Sequence, residues 1–396
     1  MDKNSTFKIL ITCILFFVTI VVSKESFAQL AAGAPANFGV DGDVKNDFKL
    51  SGTFNAAGTH DWFKSVTGTG IGVIDTANAS SYKASLSAGN NIAFDKGMSI
   101  ARYTTVDGSV LLDARYGRDY YALSSSGPYS DFTTFGSAKN GDNPTTWPTF
   151  PGGASVADKA DIIDTYVHLR RDGVVVSGSN PSHLIANVGI GTVGTTGTRY
   201  FDAEFYCSKL AYNSGTGIFS NSGPAATGGH TAWTFNPTGT VNQFGDMTIS
   251  FSFSSATCNE IYILVWVSQI TFLTVIPTGF NFVAGEYYGV TGGYGYAKIT
   301  PKSGSNIAWG VGNTVATTAT PWGTMSKTLG SNSNNYFSGN YDNGQFGEAA
   351  IDLTALGIDP VLVAGNNTCS PPFTRILFKS RSSASFTSVL QDFSGP

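Results

Sequence analysis

Three groups of polar residues have the types and spacing to do chemistry. Asp202 and Glu204 stand two apart in the stretch TRYFDAEFY, Thr198 to Tyr206. On an extended chain such positions share a face, which sets two carboxylates near the roughly 5 Å separation used for retaining glycoside hydrolysis. Tyr200 and Tyr206 flank them on that face and could stack a sugar ring. The second group is oxygen-rich and contains glycine: Asp41-Gly-Asp43 followed by Asp47, and Asp142 with Asn140 and Asn143. Calcium favours loops of this kind, although Lys45 breaks the EF-hand spacing counted from Asp41, and ordinary Asx turns are the competing reading. The third group, Asp161, Asp164 and His168, shares a face at i, i+3 and i+7 if the segment is helical. Charges that complement a helix dipole explain it as well as a metal does.

The elements that must position these groups are mostly strands. Opposite Tyr200, Asp202, Glu204 and Tyr206 lie Phe201, Ala203, Phe205 and Cys207, so one face belongs to a core and the other reads as solvated or ligand-binding. Residues 71–75, 109–116, 247–254, 260–267, 294–299 and 375–381 are β-branched or aromatic runs bounded by Gly, Asn, Ser and Pro. Gly counts 47 of 396 residues and charged residues only 13%, a profile of many strands and turns. The expected fold is an all-β, jelly-roll or concanavalin-like sandwich. One covering helix is expected over about residues 156–171, with Ser155 as N-cap, Arg170 and Arg171 late, and Gly173 as terminator. A loop from Ser124 to Gly153 carries Tyr129, Phe132, Phe135, Trp147 and Phe150, either tucked against the sandwich or presented as a binding surface. Gly189, Gly191 and Gly194 fit G-x-G-x-x-G, but a strand rather than a helix follows, so a turn is expected instead of a dinucleotide site.

The amino terminus has a basic start, an apolar run from Ile9 to Val22, and Ser26-Phe27-Ala28 before Gln29. That is the pattern of a signal peptide cleaved after Ala28, leaving 29–396 as a single large β-sandwich domain with no transmembrane segment. Cys207, Cys258 and Cys369 then form an odd set, for which one disulfide and one buried thiol are expected in an exported protein. No Cys/His cluster has zinc spacing, and a formal charge of −4 offers no basic footprint for nucleic acid.

Jelly-roll glycoside hydrolases carry acids on a strand in this way, usually as Glu-x-Asp-x-x-Glu. Asp202 and Glu204 reverse the first two types, and no third acid follows them in Cys207-Ser208. The wider sequence resembles a different group. GlyValAspGlyAspVal (39–44), HisAspTrpPhe (60–63), GlyThrGlyIleGlyValIleAspThr (68–76), AspLysAlaAspIleIleAsp (158–164), ArgTyrPheAspAlaGluPheTyr (199–206), GlyHisThrAlaTrpThrPhe (229–235) and the final LeuGlnAspPheSerGlyPro are similar to the amino-terminal region of large secreted, adhesin-like surface proteins of gliding and related Bacteroidetes. The resemblance implies export, often by type IX secretion, and a surface or adhesive role without established enzyme activity. Such proteins usually continue into repeats and a sorting domain, so the region is expected to lead a longer protein or to be a stand-alone version. The expected function is therefore a secreted or cell-surface module acting in adhesion or extracellular assembly, partnered by an extracellular polysaccharide or a cell-surface protein. Calcium is the one cofactor the residues allow. A carbohydrate-binding module is the alternative, with Tyr200, Asp202, Glu204, Tyr206, Trp147 and Trp233 as its face; a polysaccharide-cleaving enzyme comes third.

Overall fold

Alternation at period two builds both main sheets. The computed structural model describes residues 32–46, 49–50, 53–54, 59–121, 131–173, 182–302, 307–326, 336–361 and 373–395. In chain order the strands of these sheets are β1 (Phe94–Lys96), β2 (Thr104–Val106), β3 (Ser109–Arg118), β4 (Ile162–Arg171), β5 (Leu184–Thr192), β6 (Thr198–Tyr206), β7 (Met247–Ser254), β8 (Thr257–Ser268), β9 (Phe280–Gly289), β10 (Tyr294–Pro301), β11 (Ala308–Gly312), β12 (Phe346–Asp352), β13 (Arg375–Arg381) and β14 (Leu390–Ser394). Sheet A runs β11-β12-β5-β4-β3-β1 with β2 also paired to β3, and sheet B runs β9-β10-β8-β7-β6-β13-β14. Their pairings are antiparallel, so the expected all-β sandwich is what the chain forms.

The inner faces make the main core. Phe201, Ala203 and Phe205 of β6 and Met247, Ile249, Phe251 and Phe253 of β7 meet Leu184, Ala186, Val188 and Ile190 of β5. Each such large apolar side chain contributes about 1.5–3 kcal/mol on burial. The outer faces are covered too. On sheet A, Phe38, Val44, Trp62, Phe63, Val73 and Ile74 from the amino-terminal segment pack on Tyr116, Tyr166 and Phe346. On sheet B, Phe135, Trp147 and Phe219 pack on Tyr206, Leu377 and Phe393, while Phe386 and Ala232 close over Tyr262, Trp266 and Tyr296. Polar side chains on the outer faces are therefore buried, and they must find partners within the protein.

The helix expected over 156–171 is not present: Ile162–Arg171 is β4, a central strand of sheet A with all ten residues buried. Covering both faces removes the polar side that a strand would ordinarily show, which left helix-like charge signals uncontradicted. Asp164 pairs instead with Arg118 (2.9 Å) and Arg171 with Asp359 (2.7 Å). Among the described residues the α-helices are α1 (Ala79–Ser87) and α2 (Gln269–Thr274), the latter capped by Ser268 Oγ accepting from Thr271 N–H at 3.1 Å. Gly189 and Gly191 sit inside β5, not in a turn. A Cβ on Gly191 would lie 2.9 Å from the Tyr341 ring, so the missing side chain lets the aromatic layer close on the sheet. Among the described residues no helix is long and apolar enough to cross a membrane; residues 1–28, with the expected signal peptide, lie outside them.

Candidate functional site

The period of TRYFDAEFY places Asp202 and Glu204 on one face of β6, as expected, but the face is closed. Both side chains are fully buried, as is Tyr206. Lys379 of β13, paired through the Leu377↔Glu204 and Lys379↔Asp202 register, donates from Nζ to Glu204 Oε2 and to Asn140 Oδ1 (2.6 Å). Tyr296 donates its hydroxyl proton to Glu204 Oε1, and His230 Nδ1 lies 3.5 Å from the same oxygen. Burial alone would raise the Glu204 carboxyl, yet the Lys379 charge, the His230 ring and these hydrogen bonds outweigh it and hold the group below its usual range. Arg381 Nε stands 3.0 Å from Asp202 Oδ2, which also accepts from Asn140 Nδ2 at 2.6 Å. Above the network, Trp147 lays its ring 5.0 Å from Lys379 Nζ.

The cover is the loop read as either tucked or presented. From residue 131 on it is tied down by Phe135 N–H to Gln391 O and Leu390 N–H to Ala138 O, both 2.9 Å, and Phe135 and Trp147 are buried while Phe150 is exposed. A carboxylate pair must face a substrate to work on it. Here the pair faces its own counter-ions. The aromatic residues proposed as a sugar platform do not share an open face either. Tyr206 stacks on His230 at 5.5 Å, Trp147 lies in the lid, and Trp233 sits in the inner core against Phe244 at 4.2 Å. Tyr200 alone is half-exposed, with the Arg381 guanidinium 5.8 Å away.

The calcium loops divide. Near Asp142 the three side chains diverge: Asn140 turns inward to Asp202, Asp142 Oδ2 accepts from Lys139 N–H (3.0 Å) and Asn143 Oδ1 from Thr145 N–H (3.1 Å). The last is an Asx turn. Asp47 lies outside the described residues. Asp41 and Asp43, by contrast, are joined by Asp61, with one carboxylate oxygen from each within 4.8 Å of the others. Asp61 is fully buried; its Oδ1 accepts from Trp62 N–H at 2.5 Å, and its Oδ2 has no hydrogen-bond partner. Burial first, then the charges of Asp41, Glu348 and Asp43, push its carboxyl well up. Glu348 holds the loop from below, accepting from Asp41 N–H and Gly42 N–H at 2.8 Å and from Trp62 Nε1 at 3.0 Å. Neither Asp61 nor Glu348 was singled out in the sequence. The signal was an acid inside an otherwise apolar or small-residue run, HisAspTrpPhe and PheGlyGluAlaAlaIle.

The helical metal group disperses as well. Asp164 is caged by Thr324 (2.8 Å), Tyr341 (2.6 Å) and Tyr116, while His168 Nδ1 bonds Asp113 O at 2.7 Å. Cys207 and Cys258 are free thiols rather than partners in a disulfide, and Cys369 lies outside the described residues. In comparisons with known proteins, no family description, curated protein or solved structure matches the chain.

Proposed function

We propose that the chain is a secreted or cell-surface module that acts without catalysis in adhesion or extracellular assembly, with calcium held by Asp41, Asp43 and Asp61. The observation that carries this reading is the fate of the acid pair: Asp202 and Glu204 are neutralised and sealed, so the groups best suited to turnover are spent on the scaffold. The resemblance to adhesin-like amino-terminal regions supports it. So does the open edge of sheet B, where Ile270 and Leu273 of α2, Ile276 and Val290 are all more than half exposed, beside a Gln269 N–H to Gly293 O bond that joins helix and loop. Apolar groups gathered at a strand edge favour contact with another protein. Asp61 Oδ2, a buried oxygen without a donor, fits an oxygen-seeking cation.

The test is binding by the purified chain to polysaccharides and to cell-surface protein, with calcium and with chelator, beside an Ile270→Asp/Leu273→Asp variant. Calcium-dependent binding to surface protein, weakened in the variant, is expected. Saturable binding to a polysaccharide instead would move the assignment to carbohydrate recognition. Cleavage of a polysaccharide that disappears in a folded Glu204→Gln variant would overturn the non-catalytic reading.

A further inference from the structure

We propose that Asp119, Asp131, Asp161 and Asp392 form a separate divalent-cation site, suited to calcium, that fastens sheet A to sheet B. Four distant stretches of chain bring these acids together. Asp119 directly follows β3, Asp161 directly precedes β4, Asp131 lies in the loop that covers sheet B, and Asp392 lies in β14 at the edge of sheet B. The seam between the sheets runs through them, since Ile162 N–H donates to Asp392 Oδ2 at 2.6 Å.

Geometry and chemistry agree on the ligand. One oxygen each from Asp131, Asp161 and Asp392 lies within 4.8 Å of the others. Two ligands of one calcium ion, each about 2.4 Å from it, can be no more than roughly 5 Å apart. The donors are oxygens alone, which favours a hard cation over zinc or copper.

Independent of this clustering, two carboxylates are incompletely satisfied. Thr133 Oγ1 donates to Asp119 Oδ1 (2.7 Å) or Asp131 Oδ1 (2.5 Å), and backbone N–H groups complete those two oxygens. Asp119 Oδ2 and Asp131 Oδ2, on side chains at most 2% exposed, have no hydrogen-bond partner. Thr134, the bridge partner of Asp392, buries an Oγ1 in the same condition. Arg118, next to Asp119 in the chain, is committed to Asp164. Burying carboxylates together without a counter-charge is costly. Burial and then the neighbouring acids push the Asp119 and Asp392 carboxyls well up, and burial raises Asp131 to about 6. The competing explanation is that they share protons.

Calorimetric titration of the chelator-stripped, purified chain with calcium chloride separates the two. Asp131→Asn is expected to bind one ion fewer than the wild type, whereas Asp61→Asn keeps that ion. The comparison of wild type with Asp131→Asn reads this site alone, whether or not Asp41, Asp43 and Asp61 hold calcium. Melting gives a second readout. Calcium at about a hundred times its Kd should raise the wild-type Tm by about 3 °C through this site. Asp131→Asn should melt no lower than wild type in chelator and gain less from calcium. Asp119→Asn repeats the test from the opposite side of the cluster, should the first variant fold poorly. Equal ion counts and equal calcium-induced Tm shifts in wild type and variant would overturn the proposal in favour of shared protons.

Discussion

Replacing Lys379 by Met tests whether the acid pair is sealed. Lys379 is fully buried, and Met keeps most of its apolar stem while removing the charge. Glu204 would lose the donor to Oε2 and keep only Tyr296 and the His230 ring on Oε1. Asn140 Oδ1 would lose a 2.6 Å donor as well. Stripping one member from a buried ion pair costs about 3–5 kcal/mol. With an unfolding entropy of about 2.1 cal/mol/K per residue, a chain of 396 residues should lose roughly 4–6 °C in Tm. Removing the stranded charge as well, in Lys379→Met/Glu204→Gln, should recover a large part of the loss, a coupling that a double-mutant cycle measures directly. The control is Lys298→Met. Its partner Glu260 is half exposed at 4.0 Å, so the change should stay within about 1 kcal/mol. Denaturant and thermal unfolding of wild type, Lys379→Met, Glu204→Gln, the double variant and Lys298→Met give the comparison. Should Lys379→Met cost no more than Lys298→Met, Glu204 faces solvent, and its catalytic reading returns.

Other consequences can be measured separately. Gly191→Ala, whose Cβ would meet Tyr341 at 2.9 Å and Asp164 Cβ at 3.4 Å, should destabilise by about 1–3 kcal/mol, whereas Gly339→Ala meets nothing within 4 Å and should be near neutral in the same unfolding assay. His183 donates from Nδ1 to Asp352 Oδ2, a bond that raises its imidazole above the usual range against partial burial. The stabilisation is complete below the unfolded value near 6.5 and is lost as pH rises through the raised folded value; His183→Gln should remove that dependence. His168 has the opposite sign: burial and then Arg170 lower it, so the fold loses stability as pH falls below about 6.5, and NMR should find it neutral in the folded protein. Burial pushes the Cys258 thiol up to about 12, so peptide mapping after brief maleimide treatment should find Cys258 unlabelled until the protein unfolds.

Period two was enough to read the strands and their inward residues, because the inner faces carry a clean apolar set: Phe201, Ala203 and Phe205 on β6, Met247 to Phe253 on β7. What alternation does not encode is whether the opposite face meets water. Thr248, Ser250 and Ser252 look like a wet face and are buried, because segments more than a hundred residues away lie over them, as with Arg381 donating to Ser250 at 2.8 Å. The same cause misdirected β4. Its outward residues Asp164, Tyr166, His168 and Arg170 are polar or aromatic because the layer above supplies partners, and their charges imitated a capped helix. Half of the acidic loop was legible, since Asp41-Gly-Asp43 is local; Asp61 and Glu348 reach it only through tertiary structure.

The Glu348 clasp sets an order of events on the growing chain. Its carboxylate collects the N–H groups of Asp41 and Gly42 across 307 and 306 positions of sequence, and Asp392 reaches Ile162 across 230. Synthesis proceeds from the amino end, so the first-made layer waits, with Trp62 and its neighbours uncovered, until the last quarter of the polypeptide exists. Contacts of such separation fold slowly. A nascent chain arranged this way cannot close its acidic loop until Glu348 has been made, so the first residues synthesised are among the last to be fixed in place.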